Sequence, residues 1–275
     1  MKFAYSTIAC HEWSLDQIIE KTKEWGFEGI EIRGVSGEMD IIKLPEFSLK
    51  NIHVTKQKFT DAGIEPAFIA TSCKYHFPDK SEREKQIERT QKYIELATAL
   101  GLDSIRILGD RIPDDMRRQQ VVPYIADAMH TVGEFAAKNN IRLLVETHGD
   151  FVHSHHLVDL IDKADTEQIG VLWDMHNTYR VANEEPEESW KLLGNRVGYT
   201  HIKDSQPYPN RFGFRYRLLG EGDVPYHSML KVLHDAGYQG YVSIEWERLW
   251  MPELDPPEIV MPHYLKVLRK TVAKL

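Results

Sequence analysis

Trp25-Gly26-Phe27-Glu28-Gly29-Ile30 closes one helical pattern and opens a β-rich run, and its grammar returns along the chain. Asp61-Ala62-Gly63-Ile64-Glu65-Pro66, Leu100-Gly101-Leu102-Asp103-Ser104-Ile105 and Ala236-Gly237-Tyr238-Gln239-Gly240-Tyr241 repeat the order: glycine, an apolar residue, a polar one, then a strand. The glycine stands where a helix needs a left-handed terminal residue. Asn139-Asn140-Ile141 does the same with asparagine. Strands read at 3–9, 29–33, 65–71, 104–109, 142–148, 169–176, 197–203 and 241–247. Helical patterns follow near 14–25, 49–62, 81–100, 115–138, 155–163, 187–193, 226–236 and 258–273. Strands alternating with helices imply a parallel sheet, and eight such units predict a closed (β/α)₈ barrel. An open doubly wound sheet would carry a GxGxxG turn after an early strand; none is present, and Leu219-Gly220-Glu221-Gly222-Asp223 reads as a loop. No linker interrupts the pattern, so residues 1–275 read as one barrel domain.

The composition excludes several function classes. A net charge of −8 argues against a nucleic-acid or anionic-membrane surface, which normally needs a basic patch. No apolar run reaches the roughly 20 residues of a membrane span. The apolar start of the chain is interrupted at once by His11 and Glu12 and reads as a strand rather than a signal peptide. Two isolated cysteines, Cys10 and Cys73, form neither a disulfide framework nor a thiolate zinc pattern, and they suit a cytoplasmic protein.

Four of the apolar runs end in a metal-ligating side chain. They are Leu143-Leu144-Val145-Glu146-Thr147-His148, Gly170-Val171-Leu172-Trp173-Asp174-Met175-His176, Val197-Gly198-Tyr199-Thr200-His201-Ile202-Lys203-Asp204 and Tyr241-Val242-Ser243-Ile244-Glu245-Trp246-Glu247. In a barrel of this kind functional groups sit at the C-terminal strand ends. Glu146, Asp174, His201 and Glu245 would therefore converge from strands five to eight. Three carboxylates and an imidazole suit one divalent ion: Mn²⁺, Mg²⁺, Co²⁺ or Zn²⁺. Burying three carboxylates together without a cation is costly.

Further candidates lie around these four. His148, His176 and Lys203 stand two residues beyond a ligand, on the same face of an extended strand. They are placed to contact a substrate or orient a ligand; His176 as a loop histidine and Lys203 as a salt-bridge partner of Asp204 or Glu221 are the plainer readings. Glu247 reads as a partner of Arg248 or another base. Glu31 and Arg33 either line the pocket from the opposite wall or form a buried ion pair. Trp13, Trp246 and Trp250 are apolar walls for a carbohydrate ring or core residues. Arg215 and Arg217, in the long loop 206–225, hold a carboxylate, phosphate or hydroxyl, or are solvated. The run His153-Ser154-His155-His156 reads as a helix start capped by Ser154 rather than as a zinc site.

The combined motifs resemble the xylose isomerase-like TIM-barrel superfamily, often labelled sugar phosphate isomerase/epimerase. The resemblance rests on Val145-Glu146-Thr147-His148, Leu172-Trp173-Asp174-Met175-His176, Thr200-His201-Ile202-Lys203-Asp204, Leu219-Gly220-Glu221-Gly222-Asp223-Val224-Pro225, Ser243-Ile244-Glu245-Trp246-Glu247 and the opening Phe27-Glu28-Gly29-Ile30-Glu31. It implies that Glu146, Asp174, His201 and Glu245 bind one divalent metal and that Glu146 and Glu245 form the acid/base pair. The DNA-repair branch of the same fold uses extra histidines and a DxxH pattern. Here Asp174-Met175-His176 is DxH and 104–109 has no histidine.

The expectation is a metal-dependent isomerase or epimerase of a small ketose, inosose or related polyhydroxy carbonyl compound, working through an enediolate. A dehydratase on the same site is the alternative, with an abasic-site endonuclease or a non-catalytic sugar-binding barrel further off. The exposed loops 206–217 and 250–257 are candidates for packing against a partner subunit in a homo-oligomer.

Overall fold

Helix starts and stops follow local chemistry. Ser14 caps α1 (Leu15–Trp25) in a reciprocal pair with Gln17, and Gly26 ends it at φ 84°. Asp79 caps α3 (Lys80–Leu100) through the amides of Ser81 and Glu82, and Gly101 ends it at φ 83°. At both ends a side chain would be strained in the left-handed conformation that turns the chain into the next strand.

The computed structural model describes all 275 residues. Strands β1 (Lys2–Ser6), β2 (Gly29–Ile32), β3 (Glu65–Lys74), β4 (Ser104–Leu108), β5 (Arg142–Glu146), β6 (Ile169–Asp174) and β7 (Val197–Ile202) lie in the barrel. A ribbon of β8 (Asp204–Pro207) and β9 (Phe214–Arg217) precedes the last barrel strand, β10 (Tyr241–Ile244). The barrel is closed in the order β1-β10-β7-β6-β5-β4-β3-β2, and every pair is parallel. The helices between strands are α1, α2 (Ile52–Ala62), α3, α4 (Arg118–Lys138), α5 (Ser154–Ala164), α6 (Met175–Arg180), α7 (Pro186–Leu193) and α8 (Tyr226–Asp235), and α9 (Pro257–Val272) follows β10. This is a (β/α)₈ TIM barrel.

Several boundaries differ from the sequence reading. The first strand stops at Ser6, and Thr7–Cys10 is a 3₁₀ turn. The sixth stops at Asp174, whose Oδ1 accepts the Asn177 amide and so starts α6. The long loop after β7 holds the antiparallel β8–β9 ribbon. Helix α5 starts at Ser154 with His153 in the cap position, so Ser154 is not the cap. No helix is long and apolar enough to cross a membrane. Cys10 and Cys73 are free and buried.

Inside the barrel Phe68, Ala70, Leu144, Leu172 and Tyr199 form an apolar plug, with Phe68 and Tyr199 stacked at 4.2 Å. Side chains two residues apart on a strand share a face. Two steps beyond Leu144, Leu172 and Tyr199 come Glu146, Asp174 and His201, which therefore also point inward, above the plug and toward the C-terminal mouth.

Candidate metal centre and active site

Glu146 ends β5, Asp174 ends β6, His201 is the penultimate residue of β7 and Glu245 follows β10. All four are buried, and one donor atom from each lies within 4.8 Å of the others. His201 Nδ1 is the hub: it faces Glu146 Oε1 and Glu245 Oε2 at 3.5 Å and Asp174 Oδ2 at 3.9 Å, without a hydrogen-bond partner. The other ring nitrogen, Nε2, meets Glu31 Oε2 at 2.8 Å. An ionised carboxylate only accepts, so Glu31 holds a proton on Nε2 and aims Nδ1 at the three acids. An orphaned imidazole nitrogen facing three carboxylate oxygens suits a divalent ion of the borderline class.

Two buried cations brace these acids. Arg106, in the middle of β4, donates Nη1 to Glu146 Oε2 at 2.7 Å and faces Glu245 Oε1 at 3.6 Å. Its Nε bonds the Thr71 carbonyl. Lys203 is fully buried, with Nζ 2.8 Å from Asp174 Oδ2, 2.7 Å from Glu247 Oε1 and in contact with Glu245. Burial alone would raise the Glu146 carboxyl; Arg106 and His201 outweigh it and hold the group down at about 2. Burial likewise opposes the Lys203 charge, but Asp174, Glu245 and Glu247 keep its ammonium well above the ordinary value.

The same balance would give metal capture at this candidate site a pH dependence. Burial lifts the Asp174 carboxyl to about 6 against the pull of Lys203. Burial would deprotonate His201, yet Glu31 and Glu245 hold its imidazolium well above 6.5. Both groups must lose protons to ligate. Metal uptake at neutral pH should therefore release protons, and affinity should rise with pH and drop steeply below about 6. Calorimetry in buffers of different ionisation enthalpy tests this; heats independent of buffer would contradict it.

The remaining candidates are sorted by position. His148 lines a cleft of about 340 Å³ over the site, together with Arg33, Ser72, Lys74, Arg106, Glu146, Glu245, Glu247 and Trp250. Glu31 does not line it; it lies fully buried under His201. His176 is carried by α6 rather than by a strand, so the two-residue step from Asp174 does not bring it to the cleft. It packs against Phe214 and Tyr216, and its Nε2 meets Ser205 Oγ at 2.8 Å. Burial and nearby Lys203 hold His176 well below the usual imidazole value, so it is neutral.

Arg215 and Arg217 also lie elsewhere. In β9 Phe214 and Tyr216 turn inward, so their alternating neighbours turn out; Arg215 lies over Tyr208 and Arg217 pairs with Glu221 at 3.4 Å. Trp13 packs against Trp25 at the apolar core. Trp246 is core, its Nε1 bonded to the Asp255 carbonyl. Lys203 pairs with neither Asp204 nor Glu221. Asp204 instead accepts the amides of Gly220, Gly222 and Val224 and pins that loop. Glu247 accepts from Lys203 and Tyr216 rather than Arg248. His153, His155 and Glu184 also approach one another, but Ser154 and Ser189 already occupy the Glu184 carboxylate.

Arg106 escaped the sequence reading. Its signal was a lone cation in the otherwise apolar strand Ser104-Ile105-Arg106-Ile107-Leu108. Such a charge needs a buried partner, and inside a barrel that partner is another strand's acid.

The profile of the xylose isomerase-like TIM barrel family matches residues 19–271. SgbU of Escherichia coli, a candidate L-ribulose-5-phosphate 3-epimerase, is 27% identical over 208 residues, covering 72% of this chain and 70% of that one. A 3-dehydroshikimate dehydratase of Bacillus anthracis is 23% identical over 264 residues, covering 90% and 91%. The alignments with YihM of Escherichia coli and with an inosose dehydratase of Clostridium perfringens span less than half of those proteins, 41% and 46%. The solved structure of the IolI protein with a bound zinc atom superposes with a TM-score of 0.81 at 17% identity, covering 100% of this chain and 99% of that one. Of these relatives SgbU is a candidate epimerase of a sugar phosphate and the Bacillus anthracis protein a dehydratase.

Proposed function

Since the chain belongs to the xylose isomerase-like TIM-barrel family, we propose that it is a divalent-metal-dependent isomerase or epimerase of a small polyhydroxy carbonyl compound. One observation carries the reading. Of the four converging side chains, Glu146 and Glu245 also line the cleft. Two carboxylates in reach of one substrate can remove a proton beside a carbonyl and return it elsewhere or on the other face.

Glu146, Asp174, His201 and Glu245 would hold the ion, with Glu31 fixing the imidazole. The ion, when bound, would act as a Lewis acid that polarises the substrate carbonyl and spreads the charge of the enediolate. Arg106 keeps Glu146 ionised, the form that can accept a proton, while lowering its intrinsic basicity. Lys203 does the same for Glu245.

Water loss is the second reading, and His148 favours it. Its imidazole is 48% exposed at the cleft and faces Asp110 Oδ1 at 3.7 Å. From there it would protonate a β-hydroxyl as that group departs from the same enolate.

The test is a panel of ketoses, inososes, keto-acids and dehydroshikimate with added Mn²⁺ in D₂O, analysed by mass and NMR. Deuterium is expected on the carbon next to the carbonyl, because a carboxylate base exchanges its proton with solvent. A rearranged product without label would rule out return of the proton by the second, solvent-equilibrated glutamate. An unsaturated product one water lighter would establish the dehydratase.

A further inference from the structure

The cleft holds a buried cation that proton transfer leaves unused. Arg33, one residue beyond β2, is 8% exposed. Its guanidinium makes one hydrogen bond, Nη2 donating to Ser72 Oγ at 2.8 Å, while Nε and Nη1 have no acceptor. The other two buried cations of the site differ: Arg106 and Lys203 each bind carboxylates directly. Arg33 has no carboxylate in direct contact, and the repulsion of Arg106 adds to the cost of its burial. Burial, then Arg106, lower it to about 10 against the pull of Glu245 and Glu146, so at neutral pH it stays charged with no carboxylate in contact.

A charged side chain is rarely kept buried with two of three nitrogens unsatisfied. Arg33 lines the same cleft as Glu146 and Glu245, beside Ser72 and Lys74. Lys74, bound to Asp110 at 2.7 Å, adds a second positive group on that wall. Arginine donors of this kind match the oxygens of a carboxylate or phosphate. The cleft is at the small end of ligand sites, so one compact molecule must reach both the glutamates and Arg33.

We propose that Arg33, with Ser72 and Lys74, forms an oxyanion subsite, and that the substrate bears a carboxylate or phosphate in addition to its reacting carbonyl and hydroxyls. The proposal rests on the isomerase or dehydratase reading only for the reacting end of the molecule.

Calorimetric binding to the Mn²⁺-loaded protein tests it with three matched probes: sorbitol, D-gluconate and sorbitol 6-phosphate. At least one anion should bind about tenfold or more tighter than sorbitol, and the better of the two identifies the group. Arg33→Gln should reduce that preference to the level of sorbitol, and Arg33→Lys should keep part of it, while Mn²⁺ affinity stays as in the wild type. Equal binding of all three probes, or no binding of either anion, overturns the subsite without requiring any variant. A preference for gluconate that survives Arg33→Gln puts the carboxylate on another partner and also overturns it. Failure of the reaction itself shows separately, as absent Mn²⁺ binding or absent turnover. The preference of the Arg33 subsite for an anion over sorbitol can then still be read in the metal-free protein.

Discussion

Glu146→Gln and Glu245→Gln are each expected to lower turnover by about 10²–10⁴-fold, the range for loss of a positioned acid or base. The substitution keeps shape and one oxygen, so the barrel should persist while the side chain no longer takes a proton. At the proposed metal site each change would also remove an anionic ligand and weaken metal binding, so rates must be compared at saturating metal. The two variants should differ in stability. Glu146→Gln takes from Arg106 its closest carboxylate, at 2.7 Å, leaving Glu245 at 3.6 Å. In Glu245→Gln, Lys203 keeps Asp174 and Glu247. Glu146→Gln should therefore be the less stable. Turnover within a few-fold of the wild type at full metal occupancy would exclude that glutamate from proton transfer.

The legible part of this molecule was whatever repeats or follows a strand's alternation. Gly26 and Gly101 mark helix ends because only their backbone conformation allows the turn, and this chemistry is local. Glu146, Asp174 and His201 could be placed together because each lies one inward step beyond an apolar residue of the plug. Reading failed where one local element displaced another. Asp174 caps α6, so the strand stops there and His176 leaves the face assigned to it. The β8–β9 ribbon imposes its own alternation, which turns Arg215 and Arg217 outward. Glu31 and Arg106 depended on partners 170 and 40 residues away, and such pairings cannot be read before the barrel is closed.

Arg106→Met should destabilise the metal-free protein by about 3–5 kcal/mol, the cost of leaving one member of a buried ion pair without its partner. The side chain is 5% exposed and its Nη1 carries the main attraction that keeps Glu146 ionised against burial. With Arg106 gone, the Glu146 carboxyl should move up from about 2, because burial then works against the pull of His201 alone. The sign of the pH effect follows. A depressed carboxyl contributes stability that is complete above 4.5 and is lost as pH falls toward 2. The gap between wild type and variant should thus be widest near neutrality and close on the acid side. Adding Glu146→Gln to Arg106→Met removes the stranded charge, so the double variant should be more stable than Arg106→Met alone. Denaturant unfolding of the three proteins between neutral and acid pH decides the matter. Additive losses, or a gap that does not change with pH, would mean that Arg106 acts through packing and not as the counterion of Glu146.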